Sequence, residues 1–113
     1  MSLKVVKAVF FKRGERLSGF EISGHADYTD DESADIACAS VSSAVMLTAN
    51  SITHFFDIKA EVAAKENLVT LELPNRFEGI EAGFRLVESL KEHLKMVAED
   101  YEGTVEISVL ERV

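Results

Sequence analysis

The chain has one cysteine, one proline and no tryptophan among its 113 residues. A single cysteine cannot form a disulfide within the chain, so the sequence excludes a disulfide-stapled fold and favours a reducing compartment, the cytoplasm. The N-terminus has neither the apolar core nor the small-residue cleavage site of a signal peptide. We also expect no run that approaches the ~20 apolar residues of a membrane span. The sequence therefore predicts a cytoplasmic protein without membrane contact.

Positive charge is also scarce, with 12 Lys and Arg against 20 Asp and Glu and a net charge of −8. Phosphate backbones repel such a surface, so direct nucleic-acid binding is not expected, whereas a basic protein partner is compatible with it. Apolar residues still make up 47% of the chain. A chain of this size can bury one core without metal or disulfides, so we expect one domain over residues 1–113.

The apolar pattern predicts seven elements in the order β-β-α-β-β-α-β. Alternation predicts one hairpin over 4–24, a second over 58–73 around Lys65-Glu66-Asn67, and a last strand over 104–113. Helical spacing predicts helices over 36–55 and 78–101. The expected fold class is α+β, a single mixed or antiparallel sheet with two helices packed on one face. Because the first helix is apolar around much of its circumference, we expect it to be largely buried.

His25 and Cys38 lie at the ends of two predicted elements. His25 closes the second strand in the dipeptide Gly24-His25, and Cys38 follows a polar loop. If Asp35 caps the first helix (Ser33 is the alternative cap), Cys38 falls at the third helical position, where unpaired N–H groups and the helix dipole favour a thiolate. An imidazole within reach would accept the thiol proton, and the same N–H groups would form an oxyanion hole. The pattern predicts a thiol nucleophile with a histidine base.

Two other interpretations stay open at this point. A lone cysteine is commonly a small packing residue, and a lone histidine is commonly solvated, which would make the chain a non-catalytic interaction module. His25, Cys38 and an aspartate also carry metal-ligand atoms. However, paired ligands at short spacing are absent from the sequence, and the acids after His25 lack the register of a calcium loop. Metal binding is therefore not favoured, and we expect no cofactor.

The run GHA-D…D-I-A-C-A-x-x-S resembles the signature of the ribosomal-processing cysteine proteases, the Prp family. The matching residues are Gly24, His25, Asp35, Cys38 and Ser42, and the order of elements and the length are also similar. The resemblance implies a Cys–His endopeptidase that removes a short N-terminal extension from a bacterial large-subunit ribosomal protein, the twenty-seventh in the usual naming. It implies that Cys38 is the nucleophile, that His25 is the general base, and that Asp35 and Ser42 support them.

The resemblance also implies a homodimer and a mobile loop over the substrate cleft. Family members usually carry glycines in that loop, whereas this chain has none between His25 and Cys38. Asp27, Tyr28, Asp30 and Asp31 are the expected substrate-loop residues. The carboxylates of Asp27, Asp30, Asp31 and Glu32 would attract the basic N-terminal peptide of a ribosomal protein, although a solvated loop has the same composition. The alternative function is a non-catalytic, ribosome-associated module of the same fold.

Overall fold

The computed structural model describes residues 5–24, 32–76 and 78–112. Its five strands form one sheet in the order β3-β4-β2-β1-β5, in which β1 and β5 are parallel and the other neighbours are antiparallel. Chain order confirms the predicted succession of strands and helices, and the sheet is mixed. The elements are β1 (Val6–Arg13), β2 (Arg16–Ser23), α1 (Glu32–Asn50), β3 (Glu61–Lys65), β4 (Leu68–Glu72), α2 (Ile80–Asp100) and β5 (Val105–Glu111).

The core lies between the sheet and the two helices. Strand alternation places every second side chain of β1 and β2 on the helix side, because successive residues of a strand point to opposite faces. Phe10 and Phe20 are fully buried there, with ring centroids 6.3 Å apart. Other buried strand residues on this side are Val6, Ala8, Ser18, Ile22 and Leu71. One apolar face of the sheet is thus covered, as the sequence predicts.

Helix α2 is amphipathic and is tied to the β1–β2 hairpin at its N-terminal end. Its buried residues recur at helical spacing, and they are Gly83, Val87, Leu90, Leu94 and Val97. At its first turn, the Arg16 guanidinium donates two hydrogen bonds of 2.8 and 2.6 Å to the Glu81 carboxylate. The same guanidinium lies 4.5 Å from the centre of the Phe84 ring. Arg16 therefore links the β1–β2 hairpin to the first turns of α2.

Helix α1 includes Glu32, so the predicted start at residue 36 is wrong by at least one turn. Asp35 lies inside the first turn described and does not cap the helix, and neither does Ser33. Cys38 is consequently in the second turn rather than at the third helical position. The extension has a physical basis, because Ala34 is a strong helix former and the acids Glu32 and Asp35 are favourable near the positive end of the helix dipole.

The prediction that α1 is largely buried is also wrong. One stripe packs in the core, formed by Ala37, Val41, Val45, Thr48 and Ile52. The opposite side is open, with Leu47 69% and Phe55 83% exposed. The segment Ala34–Phe55, which ends in a π-helical turn, is long and apolar enough to cross a bilayer by length and composition alone, contrary to expectation. Its inner stripe belongs to the core of this fold.

Candidate active site

Gly24 fixes the point at which the chain leaves β2 toward His25. Its φ of 72° lies in the left-handed region, which side chains with a Cβ rarely adopt. A Cβ at this position would lie 2.8 Å from the carbonyl oxygen of Val5. Its N–H donates a 3.1 Å hydrogen bond to the carbonyl oxygen of Asn67. Glycine is thus required here by both backbone conformation and space, and the chain enters the His25 segment from a defined position.

Cys38 is a free, half-buried thiol on the flank of α1. Its neighbours Ala37 and Val41 are 0% and 2% exposed, and they anchor this part of the helix against the core. Because residues one apart on a helix differ by about 100° in direction, Cys38 lies at the border between the packed stripe and the open side. The thiol is held by a packed backbone and still reaches a surface cleft.

The cleft at Cys38 has a volume of about 260 Å³. It lies where β2 ends, beside the turn of the β3–β4 hairpin and below α1. Its apolar wall consists of Val6, Ile22, Val41, Leu68 and Val69. Its polar lining consists of Cys38, Ser42, Lys65 and Asn67, together with Gly24. The cleft thus accepts an apolar group beside a thiol, and it offers a hydroxyl, an amide and an ammonium group for hydrogen bonding to a peptide.

The structure brings three of the motif residues together and leaves the rest apart or undescribed. Gly24, Cys38 and Ser42 line one cleft, and Ser42 is exposed one turn after the thiol. Asp35 is exposed one turn before the thiol and is not part of the cleft lining. The predicted base His25 lies outside the described residues. The predicted substrate-loop residues, Asp27, Tyr28, Asp30 and Asp31, lie outside them as well.

The helix N-terminus contributes less to this site than the sequence predicts. Only the first four N–H groups of an α-helix lack an intrahelical partner, and Cys38 is the seventh residue counted from Glu32. Its own N–H therefore belongs to a position with a partner inside the helix. The oxyanion hole expected from first-turn N–H groups beside Cys38 loses its basis. Among the described residues that line the cleft, the Ser42 hydroxyl and the Asn67 side-chain amide are the neutral side-chain groups that can donate hydrogen bonds in place of those N–H groups.

Lys65 and Asn67 carry no functional signal in the sequence beyond marking a turn. They reach the cleft because Leu68 of β4 pairs with Ser23 of β2, which sets the hairpin turn beside the end of β2. A larger groove of about 600 Å³ lies between α1 and α2, and it contains no thiol. Within 5–24, 32–76 and 78–112, no three His, Cys, Asp or Glu side chains are grouped so that they could hold a metal ion.

Comparison with known proteins gives one family and one fold. Residues 5–106 match the family model described as cysteine protease Prp. No curated protein matches the chain. A Streptococcus mutans protein, SMU.848, is similar in structure, with a TM-score of 0.79, 21% identity, and 96% of this chain and 97% of that chain covered. The essential ribosomal processing protease Prp from S. aureus, in complex with a substrate peptide, has a TM-score of 0.82 at 13% identity over 94% of this chain and 100% of that chain.

Proposed function

The chain belongs to the cysteine protease Prp family, and from this premise we propose that Cys38 and His25 are its catalytic dyad. A cysteine protease needs a thiol nucleophile, and Cys38 is the only cysteine in the chain. The observation that carries the proposal is the shared cleft, because Gly24, the residue directly before His25, lines the same 260 Å³ space as Cys38. The residue that directly precedes the proposed base therefore lies at the edge of the thiol's own cleft.

The proposed reaction is acyl transfer through a thioester. His25 accepts the proton of the Cys38 thiol, and the sulfur attacks the scissile carbonyl carbon. The tetrahedral intermediate collapses when His25 protonates the leaving amine, which releases the C-terminal part of the substrate. His25 then deprotonates a water molecule that attacks the thioester. This step restores the thiol and releases the N-terminal part as a carboxylate.

The proposed substrate is a basic ribosomal protein. The S. aureus structure is described as that of a ribosomal processing protease holding a substrate peptide, and the motif around Cys38 resembles the same family. We infer that this chain removes an N-terminal extension from the twenty-seventh protein of the bacterial large subunit, in the cytoplasm. A net charge of −8 suits a basic substrate. The acids Asp27, Asp30 and Asp31, with Tyr28, are the proposed loop over that peptide.

We also propose a homodimer formed through the open side of α1. Residues 36–56 contain no Asp, Glu, Lys or Arg. Two molecules that each carry −8 repel one another least where the surface has no charge. Met46, Leu47, Phe55 and Phe56 of this segment are all more than half exposed, and clustered exposed apolar side chains mark interaction sites. These features therefore favour a second copy of the chain as the partner at this surface.

Light scattering tests the dimer. Leu47→Glu should give a monomer, because it places two like charges in the interface. Leu110→Glu is the matched control, since Leu110 is also an exposed leucine, at 54%, but lies on β5 rather than α1. A parent protein that is monomeric at every concentration would contradict the dimer, as would dissociation caused equally by both variants.

Thiol reactivity and cleavage test the dyad. The alkylation rate of Cys38 by iodoacetamide should be high near neutral pH in the parent and should fall by an order of magnitude or more in His25→Ala. Cys38→Ala should abolish cleavage of a peptide that spans the junction between the extension and the mature ribosomal protein. Alkylation as slow as that of an ordinary thiol in both proteins, without cleavage by the parent, would instead favour a non-catalytic module of the same fold.

A further inference from the structure

Strand β3 is an open edge of the sheet. It pairs with β4 on one side only, and it is the last strand in the order β3-β4-β2-β1-β5. All five of its residues, Glu61–Lys65, are exposed, which means that neither helix covers it. The middle three residues are Val, Ala and Ala, without proline or charge. Natural edge strands are usually protected by proline or charge, and in β3 only the two ends, Glu61 and Lys65, are charged, so its centre is suited to accept another strand.

The hydrogen-bond pattern identifies which backbone groups of β3 face outward. The bond from Gly24 N–H to the Asn67 carbonyl oxygen makes Ser23 and Leu68 a pair without direct bonds between them. Leu68 therefore directs its N–H and C=O toward Lys65 on β3. Since the pattern alternates along an antiparallel pair, the next residue of β3, Ala64, directs its N–H and C=O away from β4. Val62, two residues further, does the same.

The outward edge of β3 is continuous with the cleft at Cys38. Lys65, the last residue of β3, lines that cleft, and so does Val69, which pairs with Ala64. Directly paired residues project to the same face of a sheet, so Ala64 lies on the face that forms the cleft wall. A strand added to β3 would run ~4.8 Å outside it, with its end beside the cleft.

We propose that the free edge of β3 binds an extended segment of the peptide substrate by strand addition and delivers the neighbouring residues to Cys38. The inference rests on the proposed protease function. Strand addition supplies main-chain hydrogen bonds from Val62 and Ala64, which hold a peptide in the extended form that backbone cleavage requires. Continuity with the thiol cleft favours the substrate over a second copy of the chain as the occupant of this edge.

Amide hydrogen exchange tests the edge without any cleavage. The protein is Cys38→Ala, and the probe is a synthetic peptide that spans the cleavage junction of the ribosomal protein. Exchange of the Val62 and Ala64 amides should slow by about tenfold or more at saturating peptide, while the Ala63 amide, which already faces β4, should change little. Bound peptide that leaves both outward amides unchanged would overturn the proposal. Protection that depends on protein concentration without peptide would assign the edge to a second copy, and would overturn it too.

A proline in β3 tests the edge by activity. Ala64→Pro removes an outward N–H and leaves the bonds to β4 in place, which edge strands tolerate. It should raise KM about tenfold for the junction peptide with little change in kcat, because one binding hydrogen bond and its geometry are lost. Glu66→Pro is the control, because it adds a proline to the turn of the same hairpin and removes no β3 edge donor. Equal KM values for both variants would contradict strand addition.

The two proposals fail in different ways. If the parent binds the junction peptide and protects Val62 and Ala64 but does not cleave, the protease function fails and the edge remains a peptide site. If the parent cleaves the peptide while the outward amides stay unprotected and Ala64→Pro keeps the parent KM, the edge proposal fails and the protease function stands. A cooperative thermal melt of Ala64→Pro is the check that this variant is folded.

Discussion

Gly24 donates its backbone N–H to the carbonyl oxygen of Asn67 over 3.1 Å, and this bond joins the residue before His25 to the turn of the β3–β4 hairpin. Both residues have left-handed backbones, with φ of 72° and 64°. Both also line the Cys38 cleft. Two turns that come from distant parts of the chain therefore hold one another in place at the proposed active site.

Gly24→Ala should reduce both activity and stability. The new Cβ would lie 2.8 Å from the Val5 oxygen, and the left-handed backbone adds a cost of about 1 kcal/mol. We expect kcat/KM to fall more than tenfold, because Gly24, the residue directly before the proposed base, must shift. Gly14→Ala is the control, since Gly14 has a φ of 63° but no atom within 4 Å of an added Cβ. A similar loss of activity in both variants would show that Gly24 acts through stability alone.

Ser42→Ala should lower activity more than Asp35→Asn. Ser42 lines the cleft, and we expect its hydroxyl to bond to the substrate backbone, so its removal should reduce kcat/KM by about threefold to tenfold, the effect of one hydrogen bond. Asp35 is exposed outside the cleft, and its neutralisation should cost about 0.5 kcal/mol of stability through the helix dipole. Peptide kinetics and urea unfolding measure the two effects. The reverse ranking in activity would assign the supporting role to Asp35.

Stability should depend on pH through the pair formed by Arg16 and Glu81. The hydrogen bonds from Arg16 hold the pKa of the Glu81 carboxyl below its ordinary value. A lowered pKa in the folded state stabilises the protein above the unfolded pKa of ~4.3, and this contribution is lost as pH falls through the folded value. The melting temperature of Glu81→Gln should therefore fall less than that of the parent between pH 7 and pH 3. Glu99 lies on the exposed side of the same helix, and the melting temperature of Glu99→Gln should fall as much as that of the parent.

Arg112→Ala should lower the free energy of unfolding by about 1 kcal/mol, because Arg112 makes its contacts on the open face of the sheet. The guanidinium lies 3.8 Å from the centre of the Phe11 ring and donates a 2.9 Å hydrogen bond to Glu72. It connects the end of β5 to β4 across two intervening strands. Arg85→Ala is the control, because Arg85 is 74% exposed with one 3.7 Å ion pair, and it should cost less than about 0.5 kcal/mol. Equal urea midpoints for the two variants would contradict the contribution of Phe11.

The sequence predicts the strands and the helices of this fold because their apolar periodicities are distinct. Alternation in β1 and β2 puts Phe10 and Phe20 on the face that the structure buries. The start of α1 could not be predicted, because the acids and serine that precede Cys38 are as common in loops as in a first helical turn. The exposure of Leu47 could not be predicted either, because an apolar residue at an interface and an apolar residue in the core look the same in the sequence.

Only those residues of the candidate site that belong to one short segment of the chain can be predicted from the sequence. Gly24, Cys38 and Ser42 follow from one short motif, and the structure brings them to one cleft. Lys65 and Asn67 reach the same cleft through the pairing of β2 with β4, and strand order cannot be read from periodicity. The free edge of β3 depends on that pairing as well, because the sheet order decides which strand is outermost.

The pairing of β1 with β5 has a consequence for the order of events during synthesis. Val6, which lines the Cys38 cleft, donates its N–H to the carbonyl oxygen of Thr104 and pairs with Val105. β1 therefore lacks this neighbouring strand until β5 has been translated. Contacts of such sequence separation are slow to form, because closing the long intervening loop costs entropy. The Val6 wall of the thiol cleft therefore gains its neighbouring strand only after Val105 has been synthesised.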